Sequence, residues 1–127
     1  MRVLLADDQK HIRSSLQMLL KLEQEMTVVG QVGEAIDMVV QIGLTHPDLV
    51  LLDWELPGLP TIGSLPGLHR ICPNLLVIVL SGRPETRREA LAAGADAFVS
   101  KADPPERLLA TLQGMNNARK GLGTQII

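Results

Sequence analysis

Leu49-Val50-Leu51-Leu52-Asp53 runs four aliphatic residues without a break into a carboxylate, and Trp54-Glu55-Leu56-Pro57 follows at once. A strand with one wet face would alternate polar and apolar residues. A short unbroken run suits a strand covered on both faces, which means a parallel sheet flanked by helices. In such sheets the working edge lies at the carboxyl ends of the strands, and the aspartate stands at that end.

Four further segments extend the pattern. Residues 3–6 are apolar and end at Asp7-Asp8, and residues 27–32 are β-branched and bounded by charge. Residues 75–80 end at Ser81-Gly82, and residues 97–99 end at Ser100-Lys101. Helical spacing fills the intervals. Ile12, Leu16, Leu19 and Leu20 recur every three or four residues behind Asp8, a candidate N-cap. Residues 35–44 form a second helix that stops before His46-Pro47. Residues 85–93 form another, closed by Gly94 as the residue just past its end. The last starts in Asp103-Pro104-Pro105-Glu106, with Asp103 as N-cap and Pro104 at the first helical position, and Leu108, Leu109 and Leu112 give its apolar face.

Between 57 and 73 the chain holds Gly58, Pro60, Gly63, Pro66 and Gly67, so the third helix is expected to be short or irregular, within 68–72. Residues 116–127 lose the period. The expected organisation is one domain over 1–116, with 117–127 a tail or the start of a linker. Strand and helix alternating in this way give an α/β three-layer sandwich with right-handed crossovers.

Composition narrows the function. The chain has 127 residues, 12 basic and 14 acidic, for a net charge of −2. That balance speaks against a nucleic-acid or anionic-membrane surface. Trp54 and Phe98 are the only aromatics, too few for base stacking. Cys72 is the single cysteine, so no internal disulfide forms. No secretory leader or membrane span is read, and a cytoplasmic location is expected.

Four strands thus end in groups capable of chemistry: Asp7-Asp8, Asp53, Ser81 and Lys101. Converging carboxylates repel one another unless a hard cation joins them, and oxygen-only ligands suit Mg²⁺. One carboxylate is then free to attack phosphorus, while Lys101 and Ser81 meet the phosphate oxygens. Each residue has a plainer reading: Asp8 a helix cap, Lys101 a surface lysine, Ser81-Gly82 a turn, Phe98 core packing. The shared sheet edge favours the site. His11, His46 and His69 lack metal-ligand spacing and read as surface histidines. Cys72 reads as a small apolar packing residue.

This order of residues resembles the receiver domains of two-component response regulators, from Arg2 to about Gly114. The runs Ala90-Leu91-Ala92-Ala93-Gly94-Ala95-Asp96-Ala97-Phe98-Val99-Ser100-Lys101 and 98–112 are similar to receivers of LuxR/FixJ-type transcription regulators. The resemblance implies a flavodoxin-like fold with strand order 2-1-3-4-5 and five helices. It implies that Asp53 accepts a phosphoryl group from a sensor histidine kinase. Asp7, Asp8, Asp53 and the backbone carbonyl of Glu55 would hold Mg²⁺, and Ser81 and Phe98 would be the switch pair, Phe98 turning inward on phosphorylation. It further implies a homodimer, through either the fourth helix, fifth strand and fifth helix or the first and fifth helices, and DNA contact only through an output domain outside this chain. Leu56-Pro57 replaces the usual Met-Pro, and Lys101-Ala102 replaces the common Lys-Pro.

Glu55 and Arg83 each lie two residues beyond a site residue. An ion pair between them is expected to shield the acyl phosphate and lengthen its life. Two alternatives stand. A single-domain or degenerate receiver would serve as a protein-interaction scaffold, the degenerate one without phosphorylation. An aspartyl-phosphate phosphatase resembling the haloacid dehalogenases would carry Asp-x-Asp after its first strand, whereas this chain has adjacent aspartates there.

Overall fold

The computed structural model describes residues 1–62 and 65–125. Strands β1 (Arg2–Ala6), β2 (Thr27–Val32), β3 (Leu49–Asp53), β4 (Leu76–Ser81) and β5 (Ala97–Ser100) form one sheet, ordered β2-β1-β3-β4-β5. Every pairing is parallel. The aliphatic runs divide residue by residue between two cores, as the two-residue period of a strand requires. Val50, Leu52, Leu4, Val77, Val79 and Phe98 enter one core. Leu49, Leu51, Val3, Leu5, Ile78 and Val99 enter the other. Both sides of β3 are dry, so its unbroken apolar run needs no polar face.

Helix α1 (Lys10–Lys21) and helix α4 (Pro105–Gln125) cover the second core through Leu20, Leu108 and Leu112. Helix α2 (Ala35–Thr45) and the short α3 (Arg87–Ala92) cover the first through Met38, Ile42 and Ala90. The third crossover holds two 3₁₀ segments, Leu59–Ile62 and Leu65–Arg70, in place of a regular helix. Its prolines and glycines deny it a full ladder, and Leu59, Leu65 and Leu68 still reach the core. Gly63, one basis of that expectation, lies outside the described residues, as do Ser64, Ile126 and Ile127.

Several element ends differ from expectation. Asp8 is not the N-cap of α1. Gln9 precedes the helix, and Asp7 Oδ1 accepts the Gln9 N–H at 2.9 Å, while Asp8 is turned to the strand-end carboxylates. Residues 85–93 divide into a 3₁₀ turn, Pro84–Thr86, and α3, which Gly94 leaves at φ +112°. Asp103 does not cap α4, since its carboxylate accepts the Ser100 N–H at 3.2 Å and the helix starts two residues on, at Pro105.

Helix α4 also runs past 116. Asn116 Nδ2 donates to Glu25 at 2.7 Å, Arg119 pairs with Asp48 at 3.1 Å, and Lys120 pairs with Glu25. Polar anchors hold this last stretch, so no apolar period marks it. His69 is half-buried and not a surface group, its Nε2 lying 2.9 Å from the Leu75 carbonyl. Cys72 is buried, as its packing role requires. No described helix is long and apolar enough to cross a membrane.

Candidate functional site

The carboxyl ends of β1, β3, β4 and β5 carry the expected groups to one edge. Asp7 follows β1 and is tied into the sheet by its N–H, which donates to the Val32 carbonyl at 3.0 Å. Asp53 closes β3, paired in register with Leu80 of β4. Oxygens of Asp7, Asp8 and Asp53 lie within 4.8 Å of one another, with Asp7 and Asp53 buried and Asp8 exposed. That is the reach of carboxylates sharing one hard cation, and an exposed third member leaves room for water in its shell.

Lys101 enters from the end of β5, where its N–H donates to the Ser81 carbonyl at 2.8 Å. Its Nζ stands 2.8 Å from Asp7 Oδ2 and 3.4 Å from Asp53 Oδ1. Burial pulls the Lys101 pKa down, but the hydrogen bond it donates to Asp7 and the charges of both aspartates outweigh it and leave the pKa raised. Burial pushes the Asp53 carboxyl up to about 6, and the charge of Asp7 adds to that. The Glu55 N–H at 3.0 Å and the Lys101 charge pull the other way. Asp53 is therefore mainly ionised at neutral pH, yet held at a cost.

Ser81 is fully buried. Its hydroxyl donates to Glu55 Oε1 at 2.9 Å and accepts the Arg83 N–H at 3.0 Å. Thr86 was not anticipated from sequence. Its Oγ1 lies 3.2 Å from Ser81 Oγ and donates to the Arg83 carbonyl at 2.7 Å. The signal was local: Pro84 starts a turn that carries the hydroxyl three residues past Arg83 back over its carbonyl. The expected Glu55–Arg83 ion pair does not form. Arg83 pairs instead with Glu85 at 3.3 Å in the open, while the buried Ser81 hydroxyl draws the Glu55 carboxylate inward. Phe98 is buried in the first core, opposite Val79 in register. Trp54 follows β3, its N–H on the Leu80 carbonyl at 2.9 Å and its ring half-buried against the first core.

The sheet is parallel and covered on both faces, and one edge of it carries a carboxylate trio, a lysine and a hydroxyl. The chain belongs to the response regulator receiver domain family, whose model matches residues 3–113. It is 30% identical over 110 residues to the uncharacterized transcriptional regulatory protein YxjL of Bacillus subtilis, covering 85% of this chain and 50% of that one. It is also 30% identical over 112 residues to the nitrate/nitrite response regulator protein NarL of Escherichia coli, covering 87% and 52%. The chain thus spans about half the length of these relatives.

Among solved structures, a LuxR-family DNA-binding response regulator from Staphylococcus aureus superposes with TM-score 0.79 at 26% identity, covering 91% of this chain and 98% of that one. A CheY-like receiver domain protein from Methanospirillum hungatei gives TM-score 0.79 at 26% identity, covering 94% and 96%.

Proposed function

We propose that this chain is the phosphoacceptor receiver of a two-component response regulator, with Asp53 as the acceptor. One observation carries the reading: buried Asp53 lies with Asp7 and Asp8 within 4.8 Å and has Lys101 Nζ at 3.4 Å. Asp7, Asp8, Asp53 and the backbone carbonyl of Glu55 are the groups to hold Mg²⁺, which when bound offsets the charge of an incoming phosphoryl group. An Asp53 carboxylate oxygen attacks phosphorus, and the P–N bond to the histidine of a sensor kinase breaks. The electron pair of that bond returns to the imidazole. Lys101 leaves its ion pair with Asp53 to take a phosphate oxygen, and Ser81 exchanges Glu55 for another.

Moving Ser81 disturbs the turn that Thr86 and Arg83 share, which is the route from the site to α3 and β5. Phe98, on β5, is the aromatic partner in that change. The lifetime role of Glu55 then acts through Ser81, with Arg83 contributing its backbone N–H. By likeness to the relatives, the output is a transcription-regulating domain that contacts DNA, and the setting is the cytoplasm. The chain regulates through this modification and turns over no external substrate.

Intact-mass spectrometry after incubation with acetyl phosphate and Mg²⁺, beside Asp53→Asn, tests the reading. A labile phosphoryl adduct on the native chain, absent without Mg²⁺ and absent in the variant, is expected. No adduct from acetyl phosphate or from a phosphorylated kinase would leave a scaffold. Release of phosphate from unrelated phosphate esters would point to the phosphatase.

A further inference from the structure

Helix α2 buries Ala35, Met38 and Ile42, yet its outer face is also apolar. Ile36, Val40 and Leu44 are 67%, 51% and 71% exposed, and their spacing of four sets them in one stripe along the helix. Ile71, 37% exposed, widens it: a Cβ built on Gly43 would stand 3.6 Å from Ile71 Cγ2. Asp37 is the only charged residue in the helix. A contiguous apolar stripe on the outer face of a helix that already buries its inner face marks a contact surface.

We propose that this stripe is a contact between two copies of the chain, packed antiparallel about a twofold axis near Val40. The first argument is area. The four side chains expose on the order of 400 Å² of apolar surface, and a standard interface buries about 800 Å² per partner, a little over half of it apolar. The stripe thus supplies nearly the whole apolar share of such a contact, and the polar groups around it supply the rim.

The second argument is self-complementarity, which a twofold contact demands. Val40 is the midpoint between Ile36 and Leu44, so antiparallel packing sets Ile36 of one copy against Leu44 of the other. The third argument is charge. Asp37 stands at the start of the stripe and Arg70 beside Ile71 at its far end. Both are exposed, and neither takes part in an ion pair among the described residues. A twofold axis brings the aspartate of each copy toward the arginine of the other. Met18 and Leu22 on α1 are exposed as well, at 71% and 77%, but only as a pair with Lys21 and Glu23 close by. The proposal is independent of the Asp53 chemistry, and Asp53→Asn is expected to self-associate like the native chain.

Sedimentation equilibrium from about 1 to 300 µM, a range spanning weak to moderate affinity, reads the association directly. The weight-average mass is expected to rise from 13.8 kDa toward twice that value. Val40→Asp, at an exposed position, should keep the native circular dichroism and weaken association by about 30-fold or more, the effect of a central contact. Asp37→Arg should weaken it, and adding Arg70→Asp should restore it. In a Cys72→Ala background, Val40→Cys should form a disulfide-linked dimer under mild oxidation and Met18→Cys should not. A monomer throughout the range overturns the proposal. So does a dimer indifferent to Val40→Asp, or one linked through Met18→Cys and not through Val40→Cys.

Discussion

Asp53 is ionised where burial opposes ionisation, with a pKa of about 6 against an ordinary 3.8. A carboxyl whose folded pKa is raised contributes stability in full below its unfolded pKa, and that contribution is lost as pH rises through the folded pKa. In Mg²⁺-free protein Asp53 therefore costs stability increasingly from about pH 4 to about pH 6, and by a constant amount above. Asp53→Asn should be more stable than the native chain at pH 7.5 by about 1–3 kcal/mol, the order of a two-unit shift. The difference should close near pH 4. Urea denaturation in EDTA across that range measures it, and equal stability at pH 7.5 would mean the burial cost is not there.

The neighbouring carboxylate bears on rate. Glu55 holds the Ser81 hydroxyl at 2.9 Å, so phosphate has to displace it. Glu55→Ala should speed phosphoryl transfer from acetyl phosphate by about five-fold, one ordinary hydrogen bond's worth. Following formation and decay of the adduct in one experiment separates two roles: faster formation alone supports competition for Ser81, faster decay alone supports shielding of the acyl phosphate.

Among the elements, legibility followed the kind of residue that holds each one. Four of the five strands were visible as aliphatic runs ending in a polar group, and Asp7, Asp53, Ser81 and Lys101 were visible as those endings, while β2 was visible as a β-branched run bounded by charge. Asp8 carried two readings, helix cap and cation ligand, because an aspartate ahead of a helix looks alike whether it bonds the helix or faces other carboxylates. Only the cap reading fails, since Gln9 precedes α1 and Asp8 lies with Asp7 and Asp53. The end of α4 was invisible because its anchors, Asn116, Arg119 and Lys120, reach Glu25 and Asp48, which are distant in sequence. Thr86 and the Glu55–Ser81 bond depend on turn geometry that apolar periodicity does not encode.

Where a turn demands a special backbone, the sequence speaks again. Gly94 has φ +112°, and a Cβ there would stand 3.3 Å from Pro66 Cδ. Gly94→Ala should cost about 1–3 kcal/mol from backbone strain and overpacking together. Chemical denaturation reads the loss, and a neutral result would mean the α3 exit relaxes to negative φ.

In the whole molecule, the proposed cation site and the fold are linked because its residues belong to no single element. Asp7 and Asp8 follow β1, Asp53 ends β3 and Lys101 follows β5, separated by up to 94 residues of chain between Asp7 and Lys101. The unfolded chain scatters these groups, so a cation held by them together binds the native state alone. Stabilisation then grows as RT ln(1 + [Mg²⁺]/Kd), about 2.7 kcal/mol at a hundred times Kd. The midpoint of thermal unfolding should rise by several degrees on adding millimolar Mg²⁺, as a gain of that size implies for a domain of this length. Asp53→Asn and Asp7→Asn should lose most of the rise. Asp8→Asn should lose less, because its carboxylate is exposed and water can replace it. Lys101→Met reports the opposite sign: without the ammonium, the carboxylates repel unopposed in the Mg²⁺-free protein, and the cation should add more stability than in the native chain. If all four variants respond to Mg²⁺ as the native chain does, the ion acts elsewhere on the surface and the strand-end trio is not its site. If Asp53→Asn and Asp7→Asn lose the rise, Asp8→Asn loses part of it and Lys101→Met gains, the repulsion that the lysine now neutralises is what the cation takes over when it binds.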